Sequence, residues 1–211
     1  MTSEVLEKEA GLDRGGANRC AAPDDRGGGS GAPGGFADPT TFGLWAFLGT
    51  LTMLFIGFTS AYVVRRAAAD WRPLAAPPLL WLNTAALLAS SLALQTARGR
   101  LREWDLPGAR AWVGATGLLG VAFVAGQLGV WRVLRAQGIY LVTNPHSSFF
   151  YLLTGLHAVH FLGGLVWFAV VLARLRRLTL TPGEDGLGLF ATYWHFLGGL
   201  WVYLFLLLFV F

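Results

Sequence analysis

Five long apolar runs without Asp, Glu, Lys or Arg constrain this chain more than any other feature. They occupy about residues 42–64, 79–97, 111–130, 149–173 and 187–211, each 19 to 25 residues long. About 20 residues at roughly 1.5 Å rise each cross a hydrocarbon core of about 30 Å. Because lipid cannot satisfy the backbone of an open sheet edge, we expect an all-α integral membrane bundle of five transmembrane helices.

The first 41 residues differ sharply from the rest of the chain. Nine of the 28 glycines fall before residue 39, together with scattered charges and few large apolar side chains. Such a segment buries too little surface to offset its chain entropy, so we predict a disordered tail at 1–41 and a transmembrane domain at 42–211. Eleven Lys and Arg flank one side of the predicted bundle and five the other. This bias predicts a cytoplasmic N-terminus.

The distribution of charge excludes several functions. All twelve carboxylates lie outside the five runs, so the membrane interior offers no acid to relay protons or to bind a hard cation. This argues against a self-contained pump or cation transporter. The net charge is +4, but the arginines stand in small groups at the helix ends, where lipid headgroups explain them. We therefore predict no nucleic-acid partner.

Histidines inside the apolar runs are the main candidates for chemistry, because an ionisable group in lipid needs a partner. His157 and His160 are three residues apart on the fourth helix, and His195 lies on the fifth. They can ligate haem or another metal, or remain neutral and hydrogen-bond to groups such as Thr154 and Tyr193. At about 1.5 Å per residue, His157 and His195 differ by roughly 12 Å in depth, too far for one iron. We favour the structural role.

Residues near the predicted membrane surface are candidates for lipid contact. Arg65 and Arg66 end the first helix, where arginines extend to phosphates, and His146 stands at the entrance of the fourth. Small residues also recur at helical spacing, including Gly49, Gly57 and Ala61 on the first helix. Such faces let helices approach closely, which predicts packing within the bundle or against a partner subunit.

Two motifs on adjacent helices carry a family resemblance. The fourth helix reads Phe149-Phe150-Tyr151 and then Thr154-Gly155-Leu156-His157-Ala158-Val159-His160, and the fifth reads Tyr193-Trp194-His195-Phe196 followed by Trp201. Both resemble signatures of haem-copper oxidase subunit III, in the order that family has them. The segment 42–66 is similar to its early helix. The resemblance covers residues 42–211 and fits the five-helix bacterial form.

The resemblance implies a non-redox subunit of a terminal respiratory oxidase, multi-pass in the bacterial inner (plasma) membrane. Haems and copper are then expected in partner subunits, with no catalytic, cofactor-binding or metal-binding residue in this chain. Its expected partners are subunit I, other oxidase subunits and phospholipids, with a role in stabilising the catalytic subunit. The intramembrane polar set, which also includes Tyr193, Trp194 and Thr154, is expected to be structural. The electron donor, cytochrome c or quinol, stays open.

Two departures limit what the resemblance carries over. The family usually has Ser-Glu where this chain has Thr50-Leu51, and Asp where Gly198 stands. Both lost groups are intramembrane carboxylates, so a proton-related role is not expected here. Two alternatives stay open: an accessory subunit of a nitric oxide reductase, and a haem-binding membrane cytochrome.

Overall fold

The computed structural model describes residues 39–69, 71, 77–177 and 186–210, and within these ranges every regular element is a helix. The five helices are α1 (Pro39–Arg66), α2 (Pro78–Arg102), α3 (Leu106–Ala136), α4 (Pro145–Arg176) and α5 (Gly186–Phe209). All five are long and apolar enough to cross a membrane, which confirms the predicted fold class. Residues 1–38 of the tail predicted at 1–41 lie outside the described residues, and residues 39–41 begin α1.

The helices extend beyond the apolar runs because polar residues at their ends continue the helical backbone. α2, for example, continues through Arg98 to Arg102, and α3 begins five residues before its apolar run. Local chemistry explains two of the starts. Asp105 accepts a hydrogen bond from the backbone of Gly108 at 3.0 Å, and Asn144 forms a reciprocal capping box with Ser147. Each cap satisfies an N–H group that the first turn leaves unpaired.

The packing order differs from the chain order. Among the described helices, α5 contacts α1, α2 and α4, and α4 contacts α1, α3 and α5, while α2 and α3 form a tightly packed antiparallel pair. α1 contacts only α4 and α5 in this part of the chain. It therefore lies at the edge of the bundle, with much of its apolar surface facing outward.

Indole N–H groups link neighbouring helices to one another. Two tryptophans of α5 donate to hydroxyl groups of α2. Trp194 donates to Ser90 at 3.0 Å, and Trp201 donates to Thr84 at 3.1 Å. Trp131 of α3 donates to Thr154 of α4 at 3.3 Å. Since a buried indole N–H needs an acceptor, these pairs fix the rotation of each helix against its neighbour.

Candidate functional site

His157 lies in the centre of the bundle, where it is 1% exposed. Its ring packs against Phe123 of α3, Phe161 of α4 and Trp201 of α5, with centroid distances of 6.3, 6.1 and 5.3 Å. Neither ring nitrogen has a hydrogen-bond partner among the described residues. His157 is therefore a neutral side chain whose donor and acceptor remain unsatisfied within the described chain, since an imidazolium here would lack a compensating group.

His160, one turn later, faces a different neighbour. Its ring lies 6.4 Å from Phe47 and 6.3 Å from Phe55, both on α1, and its Nδ1 donates to the Leu156 carbonyl of its own helix at 2.8 Å. Three residues along an α-helix turn the side chain by about 60°, which suffices to separate the two rings. The two histidines thus serve different helix interfaces.

The other predicted polar residues also take separate partners. Tyr193 donates its hydroxyl to the His160 carbonyl at 2.8 Å, so it bonds the backbone and not the imidazole. Thr154 donates to the Phe150 carbonyl at 2.6 Å while accepting from Trp131. His195 is half-buried on α5. Within the described ranges, no group of three or more His, Cys, Asp or Glu is placed to hold a metal ion.

A cavity of about 380 Å³ lies between α3 and α4, directly beside His157. Its walls include Phe123, Phe161, Trp131 and Trp201. The polar residues His157, Thr154 and Gln127 also stand in the wall, with almost no polar surface open to the cavity. Gln127 is 4% exposed, and both polar atoms of its side chain are without a partner among the described residues. The sequence marks Gln127 only as a polar residue in an apolar run that can hydrogen-bond within the bundle.

The second polar region lies where α1 ends and α4 begins. His146 is 2% exposed there, donates from Nε2 to the Leu208 carbonyl at 3.1 Å, and stacks on Trp71 with centroids 4.9 Å apart. A groove of about 1100 Å³ follows. It is lined by apolar residues of both helices, by the polar residues Thr143, Asn144 and Ser148, and by Arg65. Arg66 is exposed and does not line the groove. The structure therefore separates the three predicted headgroup residues, with His146 inside the protein.

The small residues divide into two classes that the sequence did not distinguish. On α3, an added Cβ at Gly117 would overlap Phe168, one at Gly126 would overlap the Asn83 amide, and one at Gly120 would come within 2.9 Å of Trp194. On α1, no described atom lies within 4 Å of an added Cβ at Gly49 or at Gly57. These three α3 glycines therefore pack inside the bundle, and the two α1 glycines lie on an open face.

Comparisons with known proteins show which proteins this chain is similar to. The family described as cytochrome c oxidase subunit III matches residues 38–211. Among similar proteins, cytochrome c oxidase subunit 3 of Synechocystis is 32% identical over 83% of this chain and 77% of its own length. A probable cytochrome c oxidase subunit 3 of Nocardia farcinica is 34% identical over 75% and 81%. The corresponding protein of Thermostichus vulcanus is 30% identical over 82% and 88%.

Proposed function

The chain belongs to the cytochrome c oxidase subunit III family, and from that membership we propose how it acts within its complex. It is a subunit III of a haem-copper oxidase, a multi-pass protein of a bacterial plasma membrane that assembles with other oxidase subunits. We propose that it is not itself catalytic and that it stabilises subunit I, which carries out the chemistry. The cytoplasmic position of its N-terminus remains a prediction.

The open face of α1 is the observation that carries this proposal. Gly49, Met53, Gly57 and Ala61 share one side of the helix, and all four are exposed, Met53 by 72%. In lipid, apolar residues gain little from association, whereas small residues let two backbones approach and pack. A face of this composition that does not pack within the described bundle supports docking of the catalytic subunit against α1.

Leucine substitutions on α1 test the docking. Gly49→Leu and Gly57→Leu place bulk on the open face without a clash inside the subunit, because no described atom lies within 4 Å of either position. We expect both variants to insert in the membrane but to lose most of their co-purification with the catalytic subunit. Gly114→Leu on α3, equally free of neighbours, is the matched control. Equal recovery of all three variants would refute docking through α1.

We also propose that the subunit contains no redox centre and that the haems and copper reside in its partners. The separate surroundings of His157 and His160 support this, since each ring faces its own aromatic neighbours. Replacing either residue, or His195, with Phe should leave the haem and copper content of the assembled complex unchanged. Loss of one haem equivalent would contradict the proposal and favour a haem-carrying role. Co-purified nitric oxide reductase subunits would favour that alternative complex.

The groove beside Arg65 supports a role in binding phospholipid. Its walls include Ala61, Val64 and Phe149, which suit acyl chains, and a guanidinium at the groove suits a phosphate. Arg65→Gln should lower the phospholipid retained per complex in native mass spectrometry, while Arg132→Gln, an exposed arginine at the end of α3, should not. Identical lipid retention in both variants would remove Arg65 from the proposal.

Deletion of the whole subunit provides the functional test. We expect the remaining enzyme to keep spectroscopically intact haems and to lose activity faster during turnover than the complete complex. Loss of haem from the catalytic subunit after gentle removal would contradict this division of roles.

A further inference from the structure

The cavity between α3 and α4 opens toward the membrane and not toward water. Three of its lining residues, Leu128, Val159 and Leu162, are 44%, 64% and 49% exposed, and all belong to transmembrane helices. Its inner wall is formed by Phe123 and Trp201, each 2% exposed. A molecule reaches this cavity from the lipid phase, and its inner end then lies beside His157.

Unpaired hydrogen-bonding groups lie just beneath the apolar surface of this inner end. A neutral imidazole has one donor and one acceptor, and a primary amide has two donors and one acceptor oxygen. His157 and Gln127 both line the cavity, are at least 96% buried, and have no partner for these atoms among the described residues. Leaving such groups unpaired in a low-dielectric interior is unfavourable, which points to an occupant that pairs with them.

The surroundings select the chemistry of that occupant. None of the described residues that line the cavity is charged, so a phosphate or carboxylate headgroup would have no counter-ion. Water needs two to four polar partners each, and the mostly apolar walls offer too few to fill about 380 Å³ with water. Flat aromatic walls, including Trp131 and Phe161, suit a ring that stacks edge-on or face-on. A volume of this size falls within the usual range of small-molecule sites.

We propose that this cavity binds a neutral, lipid-soluble molecule whose ring carries a hydroxyl or carbonyl group, of the phenol, quinol or quinone class. The side chains of His157 and Gln127 turn toward the bound molecule and pair with its polar ring substituent, and the apolar tail leaves between Leu128 and Val159 into the bilayer. The bound molecule bridges α3 and α4. The ligand undergoes no chemical change in this site, and its binding is a role beyond the scaffold function.

Photolabelling of the intact purified complex tests the site. The probe is an alkylphenol with a diazirine in its alkyl chain, and labelled peptides are mapped by mass spectrometry. We expect labelling within residues 123–162 that 4-heptylphenol displaces and heptylbenzene, which lacks the hydroxyl, does not. Displacement by a quinone with a short alkyl tail but not by a fatty acid would place the native ligand in the proposed class.

Variants provide the matched comparison. Gln127→Leu should weaken the displacement by 4-heptylphenol about three- to tenfold, the effect expected for one lost hydrogen bond, while Gln95→Leu on an exposed part of α2 should not change it. Gly155→Leu should abolish labelling, because its side chain enters the cavity where no described atom lies within 4 Å.

Three results would overturn the proposal: no labelling within 123–162, equal displacement by heptylbenzene, or labelling indifferent to both cavity variants. If the variants fail to assemble, the comparison of 4-heptylphenol with heptylbenzene on the unmodified complex decides alone. A complex that binds neither compound but still retains its partners would refute this site without affecting the scaffold function.

Discussion

Replacing Gly120 with Ala should destabilise the subunit through one contact, the ring of Trp194. The added Cβ would lie 2.9 Å from Cη2 and 3.0 Å from Cζ2 of that indole, whereas carbon atoms prefer about 3.5–4.0 Å. One of the two groups must therefore move by about 0.5–1 Å. Trp194 is fully buried, bonded to Ser90 at 3.0 Å and packed against Phe161 and Phe190 at 5.0 and 5.4 Å, so it cannot yield freely.

The size of the effect follows from two opposing terms. Overpacking of a filled core costs about 1–3 kcal/mol, and Gly→Ala in a helix returns up to about 1 kcal/mol. The gain from Gly→Ala in a helix also applies to Gly114→Ala on α3. An added Cβ at Gly114 has no described neighbouring atom within 4 Å, so no overpacking opposes the gain there. We expect Gly120→Ala to be about 2 kcal/mol less stable than Gly114→Ala. For a chain of this size that difference lowers the Tm by about 4–8 °C.

The assay is the fraction of tagged subunit that stays in the soluble complex after heating to a series of temperatures. Trp194→Phe, which removes the two atoms in question, should also lower the Tm because it leaves a void and removes the indole donor from the Ser90 hydroxyl, which still donates to the Thr116 carbonyl at 3.2 Å. The double variant should be more stable than the sum of the two single effects, since the clash is then gone. Equal Tm values for Gly120→Ala and Gly114→Ala, or strict additivity, would refute the reasoning.

Three further perturbations have expected outcomes. Asn144→Ala removes a capping side chain and should cost about 1 kcal/mol, read as a lower Tm, whereas Asn144→Asp should keep most of the stability. Tyr193→Phe removes the hydrogen bond to His160 and should lower the Tm by the equivalent of about 0.5–1.5 kcal/mol; an unchanged Tm would show that this bond does not stabilise the bundle. Arg100→Gln should leave the Tm nearly unchanged, because its 3.4 Å ion pair with Asp105 is largely exposed; a drop comparable to that of Asn144→Ala would contradict this.

The histidines illustrate how far a sequence pattern reaches. The sequence predicted that His157 and His160 lie three residues apart on the fourth helix, and both lie on α4 in the structure. It could not show that a rotation of about 60° sends one ring toward α3 and α5 and the other toward α1. The answer depends on which helices stand beside α4, and packing order does not follow chain order here.

The glycines illustrate the same limit. Small residues recur at helical spacing on both α1 and α3, and both patterns predict a close helix contact. Only the structure distinguishes Gly120, which packs against Trp194, from Gly49, which lies on an open face. The first contributes to the stability of the bundle, and the second, as we propose, to its association with a partner.

The amino-acid sequence by itself determined that this chain forms five membrane-spanning helices, and its motifs identified the family. Both depend on local features: run length and lack of charge decide whether a segment enters lipid, and the motifs are contiguous. The tertiary structure decided which face of each helix is inside, where the cavity beside His157 lies, and which glycines lie on an open face of their helix. The sequence could not decide these points because inner and outer faces of a membrane helix are both apolar, so hydrophobicity no longer marks the core.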